Sequence, residues 1–226
     1  MTKQKAELTK LTKAASFVDE KPTRNKDRTR ALILQAATAE FAERGLAGAR
    51  IEHIAARAET NKRMVYYYYT SKEELFSAVL EAAYASIRDA EKQLNLSEQK
   101  PVDAVRTLVA FTWNYYLENP EFIRLLNMEN AIGASHVSVS PHLQAMNSPL
   151  IETLQHVLLK GQHEGVFRSG VDPLQLYISI ASLSYFYLSN SKTLTNVFGR
   201  DLLSAKAKVE RLHHMLDVIV GYLVID

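Results

Sequence analysis

Helical periodicity is the feature that most restricts how this 226-residue chain can fold. Apolar residues recur at three- and four-residue spacings, as in Ile33, Ala36, Ala37 and Phe41, which would share one face of a helix. No segment alternates apolar and polar residues over the length that a half-buried strand needs. Glycine and proline are scarce, with 8 and 6 residues, so few tight turns are available. The sequence therefore predicts an all-α protein of one or two domains.

The residue types and motifs that are absent from the sequence exclude several kinds of catalytic and metal-binding site. The chain has no cysteine, which excludes a disulfide framework, a thiolate nucleophile and a cysteine-ligated metal site. No Gly-rich phosphate loop, G-x-S-x-G motif or Ser/His/Asp cluster is present, so we do not expect an enzyme. Glu152 and His156 lie four residues apart, and His213 precedes His214, but neither pair completes a metal-binding motif. We predict no metal and no cofactor.

The sequence also carries no signal for a membrane or for export. No window approaches 18 uninterrupted apolar residues, and the basic start MTKQKAELTKLTK is followed by no apolar run. These patterns exclude a membrane-spanning helix and a secretory signal. We therefore expect a cytoplasmic protein without a membrane partner.

Charge is distributed unevenly along the chain. Residues 1–75 carry 15 Lys and Arg against 10 Asp and Glu, a net charge of +5, whereas residues 76–226 carry 12 against 15, a net charge of −3. The formal total of +2 conceals this division. A basic front and a mildly acidic body indicate that only the front meets a polyanion.

Capping residues and helix breakers divide the chain into predicted helices. Asn61, Ser71, Asp172 and Asp201 are typical N-terminal caps, and Gly45 is a typical stop. A loop is predicted over residues 133–147, which mix Gly, Ser, His and Pro. The predicted helices cover residues 25–45, 51–58, 62–67, 72–95, 101–118, 120–132, 148–164, 173–188 and 201–224.

Two short predicted helices joined by a tight turn, 51–58 and 62–67, have the pattern of a helix-turn-helix. In that arrangement the second helix lies in a DNA major groove about 12 Å wide, so its outer face must be polar. Here the second helix begins with Asn61, Lys62 and Arg63. At a helix N-terminus such side chains reach base edges, and the backbone N–H groups point at phosphates. The pattern predicts a DNA-reading helix.

This segment resembles the TetR family of transcriptional repressors. The resemblance covers roughly residues 28–80 and rests on Phe41 with Gly45, on the pair Ile54-Ala55, on Val65 through Tyr69, and on the start Ser-Lys-Glu-Glu-Leu-Phe at 71–76. It implies a DNA-binding repressor in which Tyr66 and Tyr67 contact phosphates. The full set of candidate DNA contacts is Arg50, Asn61, Lys62, Arg63, Tyr66, Tyr67 and Lys72, and we expect Tyr69 in the core.

The chain departs from the family pattern at several positions. Glu59 stands where the family often has glycine in the turn, and Arg50 stands where a capping Ser or Thr is common. Tyr68 and Tyr69 replace the usual His and Phe. The base preference of the family therefore does not transfer to this chain. The basic residues Arg24, Lys26, Arg28 and Arg30 are a further possibility for minor-groove contacts, against a simple role in solubility.

These patterns divide the chain into three predicted parts. Residues 1–24 form a flexible basic arm, residues 25–72 the helix-turn-helix DNA-binding domain, and residues 73–226 a helical effector-binding and dimerisation domain. Two apolar helices per chain make a four-helix bundle when two chains pair, so we predict a homodimer through the last two helices. Such a dimer reads two half-sites of a palindromic operator, about 34–36 Å apart. The predicted stripes are Leu176, Ile180, Leu183 and Tyr187, and Val209, Leu212, Leu216, Ile219, Val220 and Leu223.

The middle helices mix aromatic, amide and charged residues with apolar ones, as small-molecule pockets do. We predict an effector that releases the DNA-bound dimer, with the fourth helix as the lever between the two domains. Two alternatives remain open: a DNA-binding regulator without small-molecule input, and a helical enzyme. The candidate effector residues are Arg106, Trp113, Tyr116, Asn127, Met128, Glu129, Asn130, His136 and Tyr177.

Overall fold

The computed structural model describes residues 21–136 and 141–225, with no side chain described for 21–25, 141–144 and 147. Most of the predicted basic arm, residues 1–20, lies outside the described residues. The helices of the described part are α1 (Lys21–Gly48), α2 (Ile51–Arg57), α3 (Lys62–Tyr68), α4 (Lys72–Lys92), α5 (Pro101–Glu118), α6 (Pro120–Ala131), α7 (Pro141–His163), α8 (Pro173–Ser189), α9 (Ser191–Phe198) and α10 (Ala205–Leu223). The prediction of an all-α protein is confirmed.

Side-chain caps start three of these helices as the sequence predicts. The Asn61 side chain accepts a hydrogen bond from the backbone N–H of Met64 at 3.0 Å and starts α3. Ser71 accepts from the N–H of Glu74 at 3.0 Å and starts α4. Asp172 accepts from two N–H groups in the first turn of α8, at 2.7 and 3.1 Å. Each cap satisfies a donor that has no partner within its helix.

Other predicted boundaries were wrong. Helix α1 begins at Lys21 rather than at residue 25, since Pro22 is tolerated in a first turn, where its missing N–H costs nothing. The predicted loop over 133–147 was wrong from residue 141 onward, because Pro141 opens α7. Helix α10 is capped by Ser204 rather than by Asp201, whose side chain accepts from the N–H of Leu203. The sequence reading also missed α9.

The helices enclose two main apolar cores. The first core unites α1, α2 and α3 with Leu75, Phe76, Val79 and Leu80 of α4 and with Leu125 of α6. The second core is formed by α5, α7, α8 and α10 around Trp113. Helix α4 therefore begins in the first core and continues along the body. The domain boundary at residue 72 stays a prediction. No helix in the described ranges is long and apolar enough to cross a bilayer.

The turn between α2 and α3 contains a strained residue. Glu59 has a φ of 50°, in the left-handed region that favours glycine. The turn is closed by backbone hydrogen bonds from Glu59 N–H to Ala56 at 3.2 Å and from Thr60 N–H to Ala55 at 2.9 Å. Because the geometry persists with glutamate in place, the departure from the family pattern leaves the helix-turn-helix intact.

Replacing Glu59 with glycine should stabilise the protein. We expect Glu59→Gly to raise the free energy of unfolding by about 1 kcal/mol relative to Glu59→Ala, because alanine keeps the left-handed strain and glycine removes it. Both variants remove the same charge, so their difference isolates the backbone. The measurement is urea denaturation followed by the fluorescence of Trp113, the single tryptophan. Equal stability of the two variants would contradict a strained turn.

Candidate functional site

The outer face of α3 collects the side chains predicted to read DNA. Val65 on the opposite side of the helix is buried in the first core. Lys62, Arg63 and Tyr66 are exposed, and Tyr67 is 65% exposed. A helix anchored on one side and presenting cations and aromatic rings on the other has the form that a groove-reading helix requires.

Lys62 is already engaged within the chain. Its Nζ lies 2.7 Å from Oε1 of Glu52 on α2 and 5.8 Å from the ring centre of Tyr66. The hydrogen bond to Glu52 raises the pKa of Lys62 and lowers the pKa of Glu52. Sequence reasoning missed Glu52, although residue 52 in the first turn of α2 faces the start of α3. Arg63, by contrast, has no carboxylate partner among the residues that the structure describes.

A buried carboxylate on α1 organises the start of α2. Glu40 is fully buried and accepts hydrogen bonds from the backbone N–H of Arg50 at 3.3 Å and from Nδ1 of His53 at 3.0 Å. Guanidinium groups of Arg44 and Arg57 lie 3.3 and 3.8 Å from its oxygens. Glu40 thus satisfies a donor at the N-terminal start of α2, where Arg50 provides no side-chain cap. The Arg50 side chain remains exposed beside α3.

Lys72 is the remaining DNA candidate, and Tyr68 and Tyr69 are the two departures from the family pattern at the C-terminal end of α3. Lys72 begins α4 and donates from Nζ to the carbonyl of Ala49 at 3.4 Å. Tyr68 donates from its hydroxyl to the carbonyl of Lys26 at 3.2 Å, and Tyr69 is buried in the first core. Tyr68 and Tyr69 therefore pack α3 against α1 rather than face outward.

The candidate effector residues do not converge on one cavity. Arg106, Asn127 and Asn130 are exposed, and Trp113 is buried in the second core against the ring of Tyr187. Tyr116 and Asn127 both line a cavity of about 410 Å³ between α5, α6 and α8. The effector-binding role of these residues stays a prediction.

Three other candidates connect the body with the first core. Glu129 is buried and accepts from the backbone N–H of His136 at 2.6 Å, with His136 Nδ1 at 3.0 Å from its other oxygen. The ring of His136 packs edge-on against Phe76, with centroids 5.1 Å apart. Met128 also packs against the first core. These residues fix α6 to the first core, and their role in effector binding stays a prediction.

The strongest polar feature of the body was missed from the sequence. Arg88 and Glu91 of α4 are each only 4% exposed, and Arg88 Nη1 lies 2.5 Å from Glu91 Oε2. Arg88 Nη2 donates to the hydroxyl of Tyr177 on α8 at 2.5 Å. Tyr116 is buried nearby against Phe122. Of the predicted effector residues, Tyr177 directly contacts this pair.

The buried pair borders a cavity of about 170 Å³. Two polar atoms of the pair, Arg88 Nε and Glu91 Oε1, have no hydrogen-bond partner among the described residues. Burial raises the pKa of Glu91 to about 7 against the opposing attraction of Arg88, and it also raises the pKa values of Tyr116 and Tyr177. The cavity is lined by Arg88, Glu91, Lys92, Asn95, Leu96, Ser97, Met146, Pro149, Leu150 and Thr153.

The raised pKa of Glu91 predicts a pH-dependent stability. Between its unfolded pKa near 4.5 and its folded pKa near 7 the native carboxyl holds its proton more tightly, so stability falls as pH rises. We expect the contribution of Glu91 to fall by about 2 kcal/mol between pH 5 and pH 8. Urea denaturation of the wild type and Glu91→Gln at both pH values measures it. An identical pH slope in the two proteins would contradict the raised pKa.

The predicted dimerisation stripes need correction. Leu176, Ile180, Ile219 and Leu223 are buried in the second core of their own chain, and the other stripe residues except Val209 pack against that core. The most apolar stripe of each helix is thus used internally. The exposed apolar side chains of α8 and α10 are their neighbours Leu174, Ile178, Phe186, Val209, Val218 and Tyr222.

A groove runs between the exposed faces of α8 and α10. Its volume is about 480 Å³, and its walls include Phe186, Val218 and Tyr222 together with the small residues Ser179 and Ser182. Phe186 is 59% exposed. Large aromatic rings beside small serine residues form a groove into which two helices of another chain can pack.

Comparison with known proteins gives one consistent result. Residues 33–79 match the family described as bacterial regulatory proteins, tetR family, and residues 101–219 match the tetracyclin repressor-like C-terminal domain. The HTH-type transcriptional repressor NicS of Pseudomonas putida is 42% identical over 192 residues, which cover 85% of this chain and 91% of that protein. The HTH-type transcriptional repressor SCO4008 of Streptomyces coelicolor is 42% identical over 108 residues, or 47% of this chain and 52% of that protein.

A solved structure agrees with the fold. The TetR family transcription regulator from Marinobacter aquaeolei superposes with a TM-score of 0.67 at 20% identity, covering 90% of this chain and 100% of that one. At this identity the likeness concerns the fold alone.

Proposed function

Because this chain belongs to the TetR family of bacterial regulatory proteins, we propose that it binds a palindromic operator as a homodimer and is released from the operator by a small-molecule effector. Membership makes it a DNA-binding transcriptional regulator, and its relatives are named repressors rather than enzymes. The cytoplasm, where bacterial DNA lies, is the proposed location.

The observation that carries the DNA-binding proposal is the outer face of α3. Lys62, Arg63, Tyr66 and Tyr67 lie exposed on one short helix that Val65 anchors, and Lys72 lies at the adjoining start of α4. Arg63 has no competing carboxylate within the described part of the chain, so it is the residue best placed to contact a base edge. Lys72 at a helix N-terminus is suited to a phosphate. Arg50 and the Asn61 side chain complete the proposed contact set.

Substitutions on this surface should separate base reading from phosphate contact. We expect Lys62→Ala and Arg63→Ala to weaken operator binding roughly 10- to 100-fold and to relax sequence preference, because a base contact is lost. Lys72→Ala should weaken binding to all sequences about equally and reduce the salt dependence. Fluorescence anisotropy with operator and scrambled DNA measures both effects.

The matched control is Lys206→Ala, which removes an exposed lysine from α10. It should leave operator binding unchanged. Unchanged binding in all three surface variants would reject α3 as the DNA-reading helix. The operator itself is obtained by sequencing the genomic fragments that the wild-type protein retains.

The proposed dimer uses the groove between α8 and α10. Phe186, Val218 and Tyr222 are exposed apolar residues on both helices, and a soluble monomer rarely leaves such a patch uncovered. Pairing two copies about a two-fold axis covers the same patch on each chain. The resulting four-helix bundle holds two copies of α3 at a fixed separation.

A charge in the groove should dissociate the dimer. We expect Phe186→Asp to raise the dimer dissociation constant at least tenfold, because each dimer loses two buried aromatic rings and gains two buried charges. The affinity for the operator should fall as well, because the dissociated monomer contacts only one half-site. Analytical ultracentrifugation gives the oligomeric state.

The control is Phe198→Asp, at a phenylalanine that is 72% exposed at the end of α9 and outside the groove. Dissociation by the Phe198 variant and not by the Phe186 variant would place the interface elsewhere.

The proposed effector acts on helix α4. This helix runs for 21 residues, about 30 Å, from Lys72 at the DNA surface to the buried pair of Arg88 and Glu91. A ligand that contacts the pair more favourably in the DNA-incompetent arrangement shifts the dimer away from DNA. The second candidate, a regulator without small-molecule input, predicts instead that no metabolite raises the melting temperature.

A further inference from the structure

Helix α2 adds a carboxylate to the exposed surface around the start of α3. Glu52 in the first turn of α2 lies next to Lys62 in the first turn of α3, with 2.7 Å between Oε1 and Nζ. Both side chains are more than half exposed, and Arg50 beside them is exposed as well. The proposed DNA contacts include Lys62 and Arg50 but leave Glu52 without a role.

A carboxylate on this surface has few suitable partners on a DNA duplex. Phosphates are acceptors that carry negative charge, so they repel Glu52. The hydrogen bond from Lys62 lowers the pKa of Glu52, so the carboxylate stays ionised and can only accept. In the major groove the donors are the amino groups N4 of cytosine and N6 of adenine. The partner that suits Glu52 is therefore one of these two amino groups.

Lys62 supplies complementary donors at a matching distance. Its ammonium has three N–H donors and uses one for Glu52, which leaves two. Guanine presents two acceptors in the major groove, N7 and O6, and its O6 pairs with N4 of cytosine across about 2.9 Å. The 2.7 Å between Nζ and Oε1 fits this spacing. The ring of Tyr66, whose centre lies 5.8 Å from Nζ, also attracts the ammonium.

We propose that Glu52 and Lys62 together read one G·C base pair in each half-site of the operator. Lys62 donates to N7 and O6 of guanine, and Glu52 accepts from N4 of cytosine. An A·T pair fits this arrangement less well, because thymine offers one acceptor, O4, next to its methyl group. The proposal rests on the proposed function, because it requires α3 to lie in the major groove. It makes Glu52 a specificity-determining residue.

The same carboxylate acts against binding to other sequences. Where no amino group meets Glu52, its charge loses water beside acceptors and phosphates, and this cost penalises the wrong base pair. Removal of the carboxylate therefore has two consequences. Binding to unrelated DNA strengthens, because a repelled charge is gone, while discrimination at one base pair is lost. An ion pair with a purely structural role would instead change the affinities for operator and unrelated DNA by the same factor.

Fluorescence anisotropy with operator and scrambled DNA tests the role of Glu52. We expect Glu52→Ala to bind scrambled DNA at least as tightly as the wild type, while its preference for the operator falls about tenfold. The matched control is Glu43→Ala, which removes an exposed carboxylate from a second ion pair of 2.7 Å, one that joins α1 to Arg57 of α2. This control should keep the preference. An unchanged preference in Glu52→Ala would overturn the proposal.

The position at which discrimination is lost tells whether the two residues act together. Binding of the wild type to operators altered one base pair at a time should reveal one position in each half-site that requires G·C. Glu52→Ala and Lys62→Ala should both relax the preference at that same position. Relaxation at two different positions, or a preference of the wild type for A·T there, would contradict the shared reading.

Base analogues at that position test the atoms involved. Inosine in place of the guanine keeps N7 and O6, so it should change the affinity of the wild type little. 7-Deazaguanine lacks N7 and should weaken binding of the wild type about tenfold, but it should weaken binding of Lys62→Ala much less. An equal loss in both proteins would remove Lys62 as the reader of this guanine.

Circular dichroism separates a lost contact from a lost fold. An exposed ion pair contributes little to stability, so Glu52→Ala should keep the helical spectrum of the wild type. Glu52→Gln is a second variant that keeps the length of the side chain. It should also relax the preference at the same position, because an amide donates as well as accepts and so tolerates acceptors on the DNA.

The wild type separates this inference from the proposed function. A wild type that prefers no DNA sequence would reject the proposed function. Sequence-specific binding by the wild type, with the same preferences in Glu52→Ala, would reject the reading of a base pair by Glu52 and leave the DNA-binding proposal standing.

Discussion

The apolar core of the DNA-reading helices is not closed by those helices alone. Leu125 of α6 is buried among the side chains of α1 and α4, and Met128 of the same helix packs against that core. Helix α4 starts in this core and ends at the buried pair in the body. Because packed cores are close to solid density, α3 cannot change position without a response from α4 and α6. This shared packing is the physical basis of the proposed coupling between DNA and effector.

Each of the two parts contains a buried carboxylate that is held by cationic side chains. Glu40 faces the Arg50 amide, His53 and two guanidinium groups, and it holds α2 firmly on α1. The pair of Arg88 and Glu91 keeps one donor and one acceptor without partners beside a cavity. Glu40 Oε2 and the Tyr69 hydroxyl in the first core also lack a hydrogen-bond partner among the described residues. Both ends of α4 therefore border buried polar atoms that the described residues leave unsatisfied.

Local signals in the sequence were sufficient to predict most of the helices. The caps at Asn61 and Ser71 and the prolines at 101 and 120 set helix ends to within a residue, since these effects act within one turn. Long-range packing was not predictable in this way. Arg88 and Glu91 at a three-residue spacing look like a surface pair, and their burial depends on Tyr177, 89 positions away. Both faces of α8 are apolar, and the sequence does not tell which one its own chain covers.

Hydrogen exchange with and without saturating operator DNA tests the shared core most directly. Helix α6 lies behind the DNA-reading helices, so a gain of protection there on DNA binding can come only through packing. The account predicts that the amides near Leu125 and Met128 gain protection together with those of α2 and α3. Protection confined to α2, α3 and the first turn of α4, with α6 unchanged, would contradict it.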